Sequence, residues 1–503
     1  MLFNSYAFIF VFFPIVLIGF FALGKYHART AAGFLALASL FFYGWWSVQA
    51  LPLLVGSILF NYWAGLRLTP AADRSDRSRK RMLIFALAVD LGVLATFKYA
   101  DFFIGNVNDG LVAANLRPWP LLQLALPIGI SFYTFTQIAF IVDCWQGKVQ
   151  ERSFVHYVLF VSYFPHLIAG PVLHHAQMMP QFANPATYRI DPDKVSLGLA
   201  IFTFGLTKKL LIADQMGPYA DLVFNGVHSG VLPGLYTAWL GVLAYTMQIY
   251  FDFSGYSDMA VGLSLCLGVR LPLNFRSPYK STSIIEFWRR WHITLSNFLR
   301  DYLYVPLGGN RKGTTRRYAN LMATMLLGGL WHGAAWTFVI WGALHGAFMM
   351  VNHFWHALWP RNKAQATPVA VRWLGRGAGW LLTFLCVMLA WVVFRAQSVD
   401  AAWAIYGGML GQHGTALDTF REFAAVPYRK PEFFQTLMLA LVIALTFPQT
   451  IMLERWVPQA AALAGRPRLA MAATTLMALV TVCLLGLCIS KLGVYSPFLY
   501  FQF

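Results

Sequence analysis

Repeated apolar runs, each close to the length that crosses a lipid bilayer, constrain this chain more than any other feature. The first extends from Tyr6 to Leu23, and others follow along most of the 503 residues. A helix needs about 20 apolar residues to span the hydrocarbon core. Hydrophobic residues make up 58% of the chain and charged residues only 12%, against about 25% charged residues in soluble domains. We therefore predict an all-α, polytopic membrane protein and exclude a soluble globular fold.

The apolar runs predict roughly 11–14 membrane helices and re-entrant segments. One of them covers residues 121–142, with a kink expected at Pro127–Gly129. The segment Phe164–Val172 contains two prolines, which break a helix, and broken backbone at membrane depth needs a covering of protein or a water-filled cavity. Because no repeat or low-complexity tract divides the chain, we predict one integral membrane domain over 1–503, with its chemistry concentrated in 248–353.

The net charge of +18 is interpreted through membrane topology. Arginine and lysine collect at the cytosolic ends of membrane helices, so the basic segments Arg67–Arg81 and Arg276–Arg317 are placed inside. Counting spans from these segments places the N-terminus and the aromatic tail Tyr495–Phe503 outside, in the periplasm next to a bacterial inner membrane. A basic cytosolic face attracts either anionic lipid or an anionic substrate such as a coenzyme A nucleotide. Nucleic acid is not an expected partner.

One ionisable ring lies inside an uncharged run. The segment Gly328–Trp336 holds His332 among glycine, alanine, leucine and tryptophan residues. Taking an imidazole out of water is costly, so an intramembrane histidine that faces the protein interior is a functional-site candidate. A packed structural histidine is the alternative that these residues leave open. His345, further along, is expected to be a packed or interfacial residue.

A second histidine, His292, ends the basic and aromatic segment Glu286–His292. Apolar side chains recur at three- and four-residue spacing from Trp288 to Tyr302, which is typical of an amphipathic helix. An interfacial helix with its arginines reaching toward the headgroups is the plain interpretation. Upstream, Asp252 is expected to pair with this Arg-rich segment, because buried charges are usually paired.

The five cysteines are scattered and show neither zinc spacing nor a disulfide framework. No metal-ligand cluster, phosphate-binding glycine loop or dinucleotide fingerprint is visible in the sequence. We predict no resident metal and no cofactor.

Taken together, these segments are similar to the membrane-bound O-acyltransferase family, and within it to the membrane subunits that serve exopolysaccharide O-acetylation. The resemblance covers nearly the whole length. It implies a multi-helix fold around a central tunnel that opens to the cytosol. It also implies that His332 is the reactive residue and that His292 lies nearer the cytosolic entrance. The segments that carry the resemblance are Pro127–Tyr133, Phe164–Pro171, Tyr250–Ala260, Glu286–His292, Arg300–Tyr304, Leu307–Gly313, Leu326–Gly333 and Tyr495–Phe503.

A near-neutral imidazole suits His332 to general-base work, in which it takes a proton from an acceptor hydroxyl that attacks an acetyl thioester. The resulting oxyanion needs donors, for which Trp331, Trp336 or a glycine N–H are candidates. A covalent acetyl-histidine relay is an alternative. The predicted substrate-binding residues are Arg289, Arg290, Trp291, Trp331, Trp336 and Asp252.

Donor thioesters are cytosolic, so we hypothesise that acetyl-CoA is the donor substrate and docks from the cytosol against Arg289 and Arg290. The resemblance implies periplasmic acetyltransferase proteins of a polysaccharide secretion complex as partners. Alginate is the expected polymer, with cellulose or another polymer as the alternative. A relative that moves D-alanine from a carrier protein to teichoic acid leaves the donor open as well.

A transporter that passes an acyl carrier or polymer without making bonds is the alternative from another class. The intramembrane Asp90 and the proline-broken segment 154–180 would suit such a protein. However, no two corresponding broken helices are visible, as an inverted-repeat transporter would predict.

Overall fold

The computed structural model describes residues 1–70, 75–168, 170–358, 368–415, 432–453, 467–493, 496, 498 and 499. Within these residues every regular element is a helix, and no strand occurs. The predicted all-α class is thereby confirmed. Most of the aromatic tail Tyr495–Phe503, which was predicted to lie outside, falls beyond the described residues.

The helices are numbered here in chain order. They are α1 (Ala7–Gly24), α2 (Ala28–Trp46), α3 (Leu51–Leu68), α4 (Asp76–Lys98), α5 (Ala100–Ala113), α6 (Ile130–Trp145), α7 (Phe154–Ser162), α8 (Phe164–Leu167), α9 (His175–Ala183), α10 (Pro192–His228), α11 (Leu235–Cys266), α12 (Ile284–Trp288), α13 (Ile293–Leu299), α14 (Gly313–His332), α15 (Trp336–Leu358), α16 (Val369–Arg395), α17 (Val399–Met409), α18 (Glu432–Thr446) and α19 (Pro467–Ile489). Short 3₁₀ turns occupy Pro185–Tyr188, Pro278–Lys280 and Thr450–Met452, and a π-helical turn, Arg300–Tyr304, follows α13.

Five of the described helices are long and apolar enough to cross a membrane. They are α1, α3, α10, α16 and the Met471–Ile489 part of α19. Helices α4 and α5 are bent by 61° at their junction and add a sixth span if they are taken together. The chain is a multi-pass membrane protein, as predicted.

The described chain forms two compact units. The first comprises Met1–Phe204, Tyr256–Pro272 and Leu453–Pro497, and the second comprises Gly205–Gly255, Leu273–Met452 and Phe498–Phe503. The organisation as one domain over 1–503, with a core segment at 248–353, stays a prediction.

In the first unit, hydrogen bonds between buried side chains link helices α3, α4, α6 and α7. Asn61 donates to Asp90 over 2.8 Å, and Gln137 donates to Ser57 over 2.8 Å. The Tyr157 hydroxyl in turn donates to the Gln137 carbonyl oxygen over 3.3 Å. Away from water, polar groups such as these need partners inside the protein. The network therefore fixes how these four helices pack.

The helix break that was predicted for the proline-containing segment is present. Helix α7 ends at Ser162, and the short α8 starts at Phe164 with Pro165 in its first turn. Residues 171–174, which precede α9, are not helical.

The predicted helix over 121–142, with its kink, was wrong in its first half. Residues 116–127 are not helical, and α6 begins only at Ile130, after Gly129 with φ of +72°. Prolines at 118, 120 and 127 remove backbone donors. The Asp101 carboxylate instead accepts the N–H groups of Leu122 and Gln123, over 2.7 and 2.9 Å. Gly129 therefore starts a helix and does not kink one.

In the second unit, α14 and α15 form a tightly packed hairpin. Two glycines make this close approach necessary. A Cβ atom on Gly329 would collide with the Phe338 carbonyl, and one on Gly342 would collide with the Met325 carbonyl. Backbone atoms cannot give way as a flexible side chain can. Small residues therefore set the distance between these two helices.

The second unit also contains a buried ion pair. The Lys209 ammonium lies 2.6 Å from Asp252 and 2.8 Å from Asp214. The second Asp252 oxygen accepts the Leu499 N–H over 2.9 Å. The sequence predicted that Asp252 would be paired, but its cation is Lys209 of α10 and not an arginine of the 276–317 segment.

Replacing Gly342 by alanine is expected to destabilise the protein by about 1–3 kcal/mol, because the new methyl group overlaps a carbonyl that cannot move freely. The measurement is the thermal unfolding midpoint in detergent. Gly377→Ala in α16 is the matched control, since a Cβ there meets nothing within 4 Å. Equal midpoints for the two variants would contradict the close packing.

Replacing Lys209 by methionine is expected to lower the free energy of unfolding by about 3–5 kcal/mol, because it leaves a buried carboxylate without its cation. The Lys209 side chain is 5% exposed, whereas that of Lys194, which pairs with Asp191, is 36% exposed. Lys194→Met should therefore change stability little. The double variant Lys209→Met/Asp252→Leu should regain much of the loss. If it stays as unstable as Lys209→Met alone, the pair is not the cause.

Candidate active site

His332 is the last residue of α14. The helix ends there because Gly333 turns to extended backbone, at φ of −162° and ψ of 154°. A Cβ on Gly333 would collide with the Phe338 ring, so a larger residue here would displace that ring. The His332 side chain is left buried at the junction of α14 with α15. Only 5% of the residue is exposed.

Aromatic rings surround the His332 imidazole. Ring centroids lie 5.0 Å away for Trp331, 5.0 Å for Trp341 and 5.2 Å for Phe394, all in edge-on arrangements. Such an environment has a low dielectric constant, in which each hydrogen bond and each charge has a larger effect than in water. The predicted environment for a reactive histidine, buried and aromatic, is present.

Trp341 adds a donor that the sequence did not single out. Its indole is almost fully buried, and among the described residues its Nε1–H has no hydrogen-bond partner. A buried donor left unsatisfied costs about 1–3 kcal/mol, so this N–H is available to a water molecule or to a bound ligand. No periodicity or motif distinguishes this tryptophan from its neighbours. Its significance comes only from its place beside His332.

The two tryptophans that were predicted as donors have different surroundings. Trp331 is buried against both His332 and His292, with centroid distances of 5.0 and 6.2 Å. Trp336, at the start of α15, is 55% exposed. The structure therefore brings Trp331 to the histidines and leaves Trp336 at the surface of the unit.

His345 lies on the other side of Trp341, with ring centroids 4.7 Å apart. It is fully buried, as expected of a packed residue. Its Nδ1 accepts the Trp288 indole N–H over 3.3 Å. An indole nitrogen can only donate, so a neutral His345 carries its proton on Nε2. Within the described part of the chain this Nε2 has no partner, which makes it a second buried donor.

His292 interrupts the segment that was predicted to be one amphipathic helix. Helix α12 ends at Trp288 and α13 begins at Ile293, with His292 between them at φ of 43° and ψ of 53°. The prediction of one continuous helix over this segment was wrong, because the backbone leaves the right-handed helical conformation at the histidine. The His292 ring is buried and packs edge-on against Phe253, with centroids 4.8 Å apart. Its Nδ1 lies 3.0 Å from the Asn274 side-chain oxygen.

The predicted substrate-binding residues divide into two groups. Trp291 is buried in an aromatic stack with Phe287 and Trp391. Arg289 is exposed, and Arg290 is half-buried and pairs with Glu286 over 2.6 Å. Asp252 takes part in the buried pair with Lys209 described above. The geometry does not by itself assign substrate contacts to any of these residues, so their role stays a prediction.

Two further histidines meet a carboxylate in the first unit. His174 Nε2 lies 2.7 Å from Asp143, and His175 Nδ1 lies 3.3 Å from the same oxygen. The three groups are close enough together to hold a metal ion, which the sequence did not suggest because they are about 30 residues apart along the chain. However, His174 Nδ1 accepts the Ala176 N–H over 3.3 Å, so a neutral His174 carries its proton on Nε2 and donates it to Asp143. A hydrogen-bonded carboxylate–imidazole pair accounts for this contact.

Comparison with known proteins agrees with the chemistry of the second unit. The model of the membrane-bound O-acyltransferase family matches residues 119–394. This range includes His292, His332, Trp341 and Asn274.

Curated relatives cover most of the chain. A probable alginate O-acetylase of Azotobacter vinelandii is 46% identical, over 81% of this chain and 78% of the relative. A peptidoglycan O-acetyltransferase of Helicobacter pylori is 42% identical, over 83% of this chain and 81% of the relative. A teichoic acid D-alanyltransferase of Bacillus subtilis is 28% identical, over 50% of this chain and 69% of the relative. The chain therefore belongs to the membrane-bound O-acyltransferase family and is a membrane enzyme that transfers acyl groups.

Proposed function

We propose that this enzyme takes an acetyl group from a cytosolic thioester, acetyl-CoA, and delivers it for O-acetylation of an exopolysaccharide, alginate in the first instance. One observation carries the proposal. A buried imidazole, His332, lies in ring contact with an indole whose N–H is unsatisfied among the described residues. A base and an oxyanion donor side by side are the two groups that acyl transfer to a hydroxyl requires.

The reaction follows from these groups. His332 accepts the proton of the acceptor hydroxyl as its oxygen attacks the thioester carbonyl. The carbonyl oxygen gains a negative charge, which the Trp341 Nε1–H stabilises in a medium of low dielectric constant. The tetrahedral intermediate then expels the thiolate, and the imidazolium returns its proton to the sulfur. An O-acyl ester and a free thiol are the products, and no resident metal or cofactor takes part.

The basic segment supports an anionic donor. Arg289 is exposed and Arg290 lies next to it, half-buried against Glu286. Phosphate groups of coenzyme A are recognised by arginine through charge-assisted hydrogen bonds. We place this segment on the cytosolic side of a bacterial inner membrane, because basic residues collect there. Both termini are then periplasmic.

The polymer lies outside this membrane, whereas acetyl-CoA is cytosolic. We therefore propose that the acetyl group passes to periplasmic acetyltransferase partners of a polysaccharide secretion complex. The relative named an alginate O-acetylase supports alginate as the polymer. The relative named a peptidoglycan O-acetyltransferase supports peptidoglycan as a second candidate. Acetyl content of the exopolysaccharide and of the muropeptides in a strain that lacks this chain distinguishes the two.

His332→Ala is expected to lower coenzyme A release from acetyl-CoA by about 10²–10⁴-fold, because the general base is lost. Trp341→Phe keeps a ring of similar shape but removes the N–H, and should lower release by about 10²-fold. The assay uses the purified full chain in lipid nanodiscs, radiolabelled acetyl-CoA and oligomannuronate as the hydroxyl probe.

Trp239→Phe is the matched control for the indole. The Trp239 N–H donates to the Met409 carbonyl in the same unit, and its loss should leave the rate near that of the wild type. Thermal unfolding midpoints identify variants that have merely lost stability. A well-folded His332→Ala protein with full activity would overturn the assignment of the base. Movement of label across a vesicle membrane without thioester cleavage would instead indicate a transporter.

Arg289→Glu is expected to raise the KM for acetyl-CoA on the order of tenfold at low ionic strength, because it replaces attraction by repulsion at an anion-binding surface. The effect should shrink as salt is added, since exposed charges are screened. Arg29→Glu makes the same change of charge at an exposed position outside the 276–317 segment, and should leave KM unchanged. If both variants behave alike, the donor does not dock at Arg289.

A further inference from the structure

The strained turn at His292 is held by the segment that contains Asn274. A residue other than glycine at positive φ is uncommon and costs on the order of 1–3 kcal/mol. Two backbone hydrogen bonds hold the turn, because Ile293 N–H donates to the Asn274 carbonyl and Arg276 N–H donates to the Arg290 carbonyl, each over 2.9 Å. The fold therefore keeps this histidine beside Asn274 despite the strain.

The orientation of the Asn274 amide is fixed by Thr294. The Asn274 side-chain oxygen accepts the Thr294 hydroxyl over 2.9 Å and lies 3.4 Å from the Thr294 backbone nitrogen. A backbone N–H can only donate, so the amide atom that faces it must be the oxygen. The same oxygen lies 3.0 Å from His292 Nδ1. Because an amide oxygen cannot donate, His292 Nδ1 must carry the hydrogen.

The other ring nitrogen is then an acceptor. In a neutral imidazole with its proton on Nδ1, Nε2 has a free lone pair. His292 Nε2 is buried and has no hydrogen-bond partner among the described residues. Phe253 and Trp331 pack against the ring. The titratable residues adjacent in sequence to these two rings are the ion-paired Asp252, beside Phe253, and His332, beside Trp331.

We propose that Asn274 is a positioning residue that holds His292 in the Nδ1–H tautomer, so that Nε2 accepts a hydrogen bond from an O–H or N–H group of the bound substrate. Asn274 acts through His292 and does not itself touch the substrate. The substrate contact rests on the acyl transfer proposed above, whereas the tautomer does not depend on it. A motif search would not find this residue, because it precedes the histidine-containing segment and belongs to no catalytic pattern.

The tautomer is measured directly by solid-state NMR of the full chain in lipid, labelled with ¹⁵N-histidine. His292→Gln identifies the His292 signals by their loss. The expected spectrum has a protonated, pyrrole-type Nδ1 and an unprotonated, pyridine-type Nε2. In Asn274→Leu, which offers no acceptor, these two signals should exchange or average. A wild-type Nε2 that carries the proton would overturn the proposal, whatever the activity.

Coenzyme A release from acetyl-CoA is the second readout. Asn274→Leu should lower kcat/KM by about 10- to 100-fold, as removal of a residue that orients a catalytic imidazole commonly does. In Asn274→Asp a carboxylate stabilises the imidazolium, so the acid limb of the kcat/KM profile should move to higher pH by roughly one to three units. A purely structural role for Asn274 would lower the rate without moving this limb.

Asn320 provides the matched control. It is a buried asparagine of the same unit, and its amide donates to the Gly309 carbonyl over 3.2 Å. Asn320→Asp should leave the acid limb where it is in the wild type. If Asn274→Asp also leaves it there, the positioning role is wrong. A wild-type protein that releases no coenzyme A but shows the expected tautomer would overturn the acyl-transfer function and leave the role of Asn274 in setting the tautomer intact.

Discussion

Polar groups that water cannot reach must form hydrogen bonds within the protein, and this requirement governs the structure. In the first unit Asn61, Asp90 and Gln137 form part of one buried network, and in the second Asp252 is held by Lys209 and a backbone N–H. Around His332 the requirement is only partly met. Imidazole and indole nitrogens that are ready to donate or accept remain without partners among the described residues. Such groups are costly in a core that only has to pack. A bound polar substrate would supply hydrogen-bond partners for these nitrogens.

The aromatic cluster around His332 depends on glycines, which have no side chain. Gly329 and Gly342 let α14 and α15 approach until their backbones touch, and Gly333 ends α14 so that His332 turns into the rings. Tryptophan and phenylalanine then fill the space around the imidazole and exclude water. Close packing and low polarity thus serve the same end, because hydrogen bonds made to a developing charge are strongest where the dielectric constant is low.

Residue patterns predicted some of this arrangement and missed the rest for identifiable reasons. The burial of His332 was predictable, since no charged residue accompanies it in the segment Gly328–Trp336. The break at His292 was not, because the three- and four-residue spacing continues through it and the hydrogen bonds that hold the break come from residues 274–276. The sequence patterns do not single out Trp341 or Asn274. Their roles depend on tertiary contacts, because Trp341 lacks a hydrogen-bond partner for its N–H in the described part of the chain and Asn274 bonds to His292. The helix over 121–129 was overpredicted because apolar composition outweighed three prolines.

The last described residues of the chain pack beside His292. Leu499 bonds to Asp252, and Phe498 packs against Phe253, the ring that also contacts His292. Protein engineering has to respect this anchor. A purification handle or fluorescent protein fused after Phe503 would lie within a few residues of Leu499, whose N–H donates to Asp252, and would put this anchor under load.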